Sequence, residues 1–268
     1  MSARIWAPSA VLAFCCLSLN AANGQVFPEW HSRLLKRVYT SRDGMGLPYR
    51  LWIPSAYDSL SKCPLILFLH GAGERGSDNE AQLKNDEFLS LIVDPGHPAI
   101  LVAPQCPADM WWSKIEFDRN RPQGFSEEPT VPMRLTIELL DTLEKEFRID
   151  PERRYVTGLS MGGYGTFDLL VRRPGYFAAA VPICGGGDSS RARLIADVAI
   201  WVFHGAQDPL VPVERSRAMV AALRRVGASV RYTEYPDVGH DAWKRAYLEP
   251  ELRSWLFQQK RSSRGPGG

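Results

Sequence analysis

Gly158-Leu159-Ser160-Met161-Gly162 is the stretch of this chain best suited to nucleophilic chemistry. It follows an apolar, strand-like run and opens a helix-compatible run from Gly162 to Arg172. A serine with glycines two residues away on each side suits a tight strand-to-helix turn, where neighbouring backbones come close. Such a turn lifts the hydroxyl out of a sheet. It also leaves the Met161 N–H at a helix N-terminus, facing any oxyanion formed there. A nucleophilic serine further needs a base, a group that orients the base, and a second oxyanion donor. His240 follows the last strand-like run, Val230 to Tyr235. Asp208 lies just past the apolar run Ala199 to Phe203. His70-Gly71-Ala72-Gly73 follows Leu65 to Leu69, and its glycines let the Ala72 N–H turn towards the same point. The chain order Ser160, Asp208, His240 is the one expected of a triad built at one edge of an α/β sheet.

Other titratable residues compete for these roles. Asp188, in the loop after Ala178 to Ile183, is the alternative acid. Asp237 and Asp241 stand too near His240 in sequence to orient its ring easily. His70 and His204 are strand-end histidines beside glycine and read as structural; His31 and His97 have no evident partner. Glu74 and Arg75 follow the glycines of the first loop, Trp111 and Trp112 stand in a long polar loop, and Trp243 follows the histidine loop. All five are candidate substrate contacts, with packing or surface pairing as the competing explanation.

These residues need a scaffold. Runs apolar throughout, at 65–69, 99–103, 154–157, 178–183 and 199–203, suit strands covered on both faces. The run 230–235 alternates more and suits a strand nearer an edge. Runs 34–40 and 49–53 suggest a leading antiparallel pair. Between them lie helical patterns at 163–171, 213–226 and 247–259. Another begins at Thr130, a capping residue, and carries Leu135, Leu139, Leu143 and Phe147 as one stripe. Alternation of this kind predicts a mostly parallel, doubly wound sheet. Two long connections, 71–98 and 107–129, are candidates for functional loops.

The 268 residues carry a formal net charge of only +2, which gives no electrostatic reason to expect nucleic-acid binding. Arg4, the apolar run Ala10 to Leu19 and small residues at 21–24 predict a signal peptide over residues 1–24, hence a secreted or periplasmic protein. A single domain over 25–261 and a disordered tail over 262–268 are expected. No segment is apolar for long enough to span a bilayer. Of the five cysteines, Cys63, Cys106 and Cys184 lie beyond the signal segment, so at most one intrachain disulfide can form; burial as small apolar residues is the simpler expectation. There is no zinc-like spacing of Cys and His.

Taken together, Leu67 to Gly76, Gly158 to Gly163, His204 to Asp208 and Gly239 to Trp243 resemble the α/β-hydrolase superfamily. The nearest likeness is to secreted esterases related to prolyl oligopeptidase catalytic domains, dienelactone hydrolases, and feruloyl or acetylxylan esterases. The resemblance implies a sheet of about eight strands, a serine nucleophile and no cofactor. It implies a carboxylesterase acting on small-molecule or polysaccharide-linked esters, such as acetyl or feruloyl esters, through an acyl-enzyme. A peptidase of the prolyl oligopeptidase kind, acyl transfer to an alcohol, and a catalytically silent carbohydrate-binding protein on the same scaffold are the alternatives. Too few residues precede the core for a propeller domain, which weighs against the peptidase.

Overall fold

The computed structural model describes residues 28–92 and 95–261. The signal peptide and the C-terminal tail expected from the sequence lie outside the described residues. One eight-stranded sheet organises them: β1 (Leu35–Thr40), β2 (Gly46–Trp52), β3 (Cys63–Leu69), β4 (Ile100–Pro104), β5 (Ile149–Leu159), β6 (Ala179–Ile183), β7 (Ala199–Gly205) and β8 (Val230–Tyr235). Their order is β1-β2-β4-β3-β5-β6-β7-β8. The β1–β2 and β2–β4 pairs are antiparallel and every later pair is parallel. The expected leading hairpin and parallel remainder are both present.

The helices are α1 (Pro28–His31), α2 (Val131–Glu146), α3 (Met161–Arg172), α4 (Glu214–Arg225), α5 (Trp243–Ala246) and α6 (Leu252–Gln258). Thr130 caps α2, its side chain accepting from the Met133 N–H. The sequence suggested one helix over 247–259. Only 252–258 of that span is helical, as α6; α5 is a separate short helix before it, and Pro250, which has no N–H to give, falls in the turn between them.

Every residue of β3 is buried, and alternate side chains feed opposite faces. Leu65, Leu67 and Leu69 join the α2, α3 and α4 stripes, among them Leu139, Leu170 and Leu223. Ile66 and Phe68 join Phe88, Tyr247 and Trp255 on the other face. The 71–98 connection contributes to that second layer through the 3₁₀ turns Ala81–Leu83 and Asp86–Leu91. Packing on both faces leaves the carboxyl ends of β3, β5, β7 and β8 to carry loops towards one edge, where crevices form in parallel sheets.

Candidate active site

β5 ends at Leu159 and α3 starts at Met161, so Ser160 alone makes the turn. Its φ is 53° and ψ −116°, a conformation costly for a residue with a Cβ. Two glycines make the turn possible. A Cβ at Gly162 would lie 1.8 Å from the Leu69 carbonyl oxygen, and one at Gly158 would lie 2.3 Å from that of Gly162. The Ser160 carbonyl accepts from Gly163 and Tyr164 N–H at 2.8 and 3.2 Å, anchoring the first turn of α3. The Met161 N–H, at the first position of the helix, has no intrahelical acceptor.

The structure brings Ser160, His240 and Asp208 together. His240 Nε2 is 2.8 Å from Ser160 Oγ, and His240 Nδ1 is 2.7 Å from Asp208 Oδ2. A carboxylate only accepts, so Nδ1 carries the hydrogen and Nε2 presents its lone pair to the serine hydroxyl. Asp208 Oδ1 accepts from the Leu210 and Val211 N–H groups, each at 2.9 Å. Burial alone would raise this carboxyl. Hydrogen bonds from His204, His240 and the Val211 N–H outweigh it and hold Asp208 well below the usual carboxylate range.

The other acids are engaged elsewhere. Asp188 caps the 3₁₀ turn Ser189–Ile195 and accepts from the Phe125 N–H. Asp237 pairs with Arg245 and Asp241 with Lys244. His31, which had no evident partner in the sequence, lies 2.9 Å from Asp86.

The loop after β3 closes on the serine from the other side. A Cβ at Gly71 would stand 3.6 Å from Ser160 Cβ and 2.8 Å from Leu159 Cδ1, so this loop runs in contact with the turn. His70 fixes its base. Its Nδ1–H donates to the Gly71 carbonyl at 2.6 Å, and its Nε2 accepts from the Cys106 N–H at 2.9 Å. Burial pushes His70 down to about 4, so the ring stays neutral in this tautomer. Arg75 Nε donates to the Ala72 carbonyl at 2.9 Å.

A cavity of about 430 Å³ opens over Ser160 and His240. Ala72, Glu74, Met161, Trp111 and Trp243 line it, as does Ser160. Trp243 meets the His240 ring edge-on, centroids 5.3 Å apart. Glu74 is buried, accepts from Asn85 Nδ2 at 3.0 Å, and is raised by that burial above the usual carboxylate range. Two expected contacts are not brought to the cavity. Trp112 is fully buried: its Nε1 donates to the His70 carbonyl at 3.0 Å and its ring meets the His70 ring edge-on, centroids 5.2 Å apart, which turns it into the core. Arg75 turns its guanidinium over the Trp111 ring, 4.6 Å from its centroid, instead of entering the pocket.

Sequence reasoning missed Tyr164, Phe117, Leu210 and Arg215, which also line the cavity. Tyr164 stands four residues after Ser160, one helical turn on, and that spacing could have found it. Arg215 gave no local signal. It is buried on α4 and donates to the carbonyls of Arg121, Glu116 and Asp118 at 2.6, 3.0 and 2.8 Å. It thereby holds the outer part of the 107–129 loop over the pocket.

Among the described residues, the only cluster able to ligate a metal is Cys184, His204 and Asp208, whose donor atoms lie within 4.8 Å of one another. Burial raises the Cys184 thiol far above its ordinary value, and it donates to the His240 carbonyl at 3.3 Å. Asp208 already accepts hydrogen bonds on both oxygens. These groups fit a hydrogen-bonded network better than a thiolate ligand set.

A serine on a strand–helix turn, at the carboxyl edge of an eight-stranded and mostly parallel sheet flanked by helices, defines an α/β-hydrolase fold. Residues 46–186 match the family Esterase, and residues 128–248 match the dienelactone hydrolase family. The chain belongs to the esterase family, an α/β-hydrolase family of carboxylic ester hydrolases. It is 26% identical over 186 residues to the bifunctional acetylxylan esterase/xylanase XynS20E of Neocallimastix patriciarum, covering 69% of this chain and 25% of that protein. It is 30% identical over 171 residues to a probable feruloyl esterase C of Aspergillus terreus, covering 63% of this chain and 57% of that one. The crystal structure of a thermostable esterase superposes with a TM-score of 0.78 at 41% identity, over 86% of this chain and 64% of the other. The chain thus spans less than two thirds of the length of each of these relatives. No helix among the described residues is long and apolar enough to cross a membrane.

Proposed function

We propose that this chain is a serine carboxylesterase. The observation that carries the reading is the continuous hydrogen-bond line from Ser160 Oγ through His240 to Asp208, opening on the cavity. Ser160 Oγ attacks the ester carbonyl as its proton passes to His240 Nε2. Asp208 stabilises the imidazolium so formed. The Ala72 and Met161 N–H groups hold the oxyanion; one such donor is worth about 3 to 4 kcal/mol of transition-state stabilisation. The tetrahedral intermediate collapses, the C–O bond to the alcohol breaks, and His240 returns its proton to the leaving oxygen. Water, deprotonated by His240, then attacks the acyl-enzyme and releases the acid and Ser160.

Trp111, Phe117, Tyr164 and Trp243 give the pocket aromatic walls, suited to a flat acyl group or a sugar ring. The names of two relatives, an acetylxylan esterase and a feruloyl esterase, favour acetyl or feruloyl esters linked to polysaccharide. Arg4 followed by the apolar run Ala10 to Leu19 supports export of a single domain beginning near residue 25. A panel of nitrophenyl acetate and butyrate, methyl hydroxycinnamates, acetylated xylan and aminoacyl nitroanilides tests this proposal. Turnover of the esters is expected, with label from a fluorophosphonate on Ser160. Turnover of the anilides alone would replace the esterase reading with a peptidase.

A further inference from the structure

A second imidazole shares the Asp208 carboxylate. His204 is the penultimate residue of β7, is fully buried, and places Nε2 3.3 Å from Asp208 Oδ2. That is the oxygen which also takes His240 Nδ1. The other close neighbour of His204 Nε2 is the Val211 carbonyl oxygen at 3.1 Å. Both neighbours only accept, so Nε2 carries a hydrogen. On the far side of the ring, Nδ1 is 2.7 Å from Ser216 Oγ, which is itself 2.9 Å from the Gly185 carbonyl oxygen. Ser216 has one hydrogen for two acceptors. That hydrogen points either at Nδ1 or at the Gly185 carbonyl oxygen. In both arrangements Nε2–H faces Asp208. Ser216 from α4 holds the ring; the other titratable groups near it are Cys184, just after β6, and Glu234, its cross-strand partner on β8, which is itself bound by Arg217 and Tyr232.

We propose that His204 is a positioning residue for the reaction: it shares Asp208 Oδ2 with His240, and so sets the direction and the effective charge of the carboxylate that His240 meets. This rests on the assignment of Ser160, His240 and Asp208 made above. With His204 present, part of the Oδ2 charge is committed to a second donor. Without it, the whole charge faces His240, whose imidazolium is then stabilised, while the carboxylate loses one of its four donors and its fixed orientation. The expected consequence is a slower reaction by a more basic imidazole.

Amide geometry separates the two ring nitrogens of His204. In His204→Asn the amide falls near the Nδ1 position and keeps Ser216 but cannot reach Asp208. In His204→Gln it falls near Nε2 and returns an N–H to Asp208. The full-length protein and both variants are compared by circular dichroism, fluorophosphonate labelling, the pH profile of kcat/KM, and the downfield proton resonance of the His240–Asp208 hydrogen bond. His204→Asn is expected to lower kcat about tenfold with KM little changed. Its acidic limb of kcat/KM should move up by about half to one pH unit, and its downfield resonance should shift. His204→Gln restores the limb and most of kcat. Ser216→Ala, which loosens the ring without removing it, should shift the limb in the same direction by less, and it carries the test if His204→Asn does not fold. A folded variant that labels at Ser160 yet keeps the wild-type limb and resonance overturns the role of His204 alone. Absence of label at Ser160 in the unaltered protein overturns the triad assignment, and this proposal with it.

Discussion

Two regions frame the pocket, and they are held by opposite means. The turn around Ser160 is fixed by the absence of side chains: Gly158 and Gly162 let carbonyl oxygens of β3 and α3 pass where any Cβ would collide. The wall formed by residues 107–129 is fixed by the presence of long side chains. Arg215 grips three carbonyls at 116–121, and Arg172 grips the Ser126 and Glu127 carbonyls at 2.6 and 2.9 Å. The first device permits almost no displacement, which suits an attacking atom. The second can loosen one hydrogen bond at a time, so the wall can shift without unfolding the sheet edge beneath it.

The most severe break falls on the turn. Ser160→Ala should lower kcat at least about 10⁴-fold while leaving thermal unfolding nearly unchanged; steady-state kinetics on nitrophenyl acetate beside calorimetry reads both. Gly162→Ala should cost more than about 4 kcal/mol, since its Cβ meets backbone rather than a movable side chain. A urea midpoint close to the unaltered protein would show that the turn has more freedom than its geometry implies.

Next in size is an effect of pH. His70 is held at about 4 in the folded chain and titrates near 6.5 when unfolded. The unfolded state therefore binds the proton first. The stability linked to neutral His70 is complete above about pH 6.5 and is lost as pH falls towards 4, amounting to about 3 kcal/mol. Urea titrations across that window should show the slope, and His70→Asn should flatten it.

The wall should yield more gently. Arg215→Met should cost about 1 to 3 kcal/mol and raise KM about tenfold with a smaller change in kcat. Faster hydrogen exchange confined to 116–121 would mark the loosened loop; a loss of kcat at constant KM would instead place Arg215 in the chemistry. Smallest is Phe117→Ala. Its ring is mostly exposed and meets Trp111 edge-on at 5.4 Å. It should leave stability within about 0.5 kcal/mol, with KM for aromatic esters raised a few-fold.

The same contrast explains what could be read in the sequence. Glycines at fixed spacing and apolar runs are local signals, so the turn, the strands and the loops carrying Asp208 and His240 were legible without a structure. The wall is held by Arg172 and Arg215, which lie some 50 to 100 residues from their partners. Nothing near either arginine announces the carbonyls it will meet. Trp111 and Trp112 illustrate the limit at one residue's distance: adjacent and chemically alike, they go respectively to the pocket and to the core. Likewise His204 read as an ordinary strand-end histidine, because its relation to Asp208 depends on the return of the chain beyond β7.

The buried cysteines carry a practical consequence. Cys63, Cys106 and Cys184 are unpaired and buried, and desolvation lifts the first two thiols to about 11 and about 12. In the closed chain they are neither accessible nor ionised. They sit at the head of β3, beneath the His70 ring and behind the His240 loop. Each is a silent timer for its own neighbourhood: alkylation, mapped peptide by peptide, would report how often each part of the sheet edge opens, with no dye or probe attached to the protein.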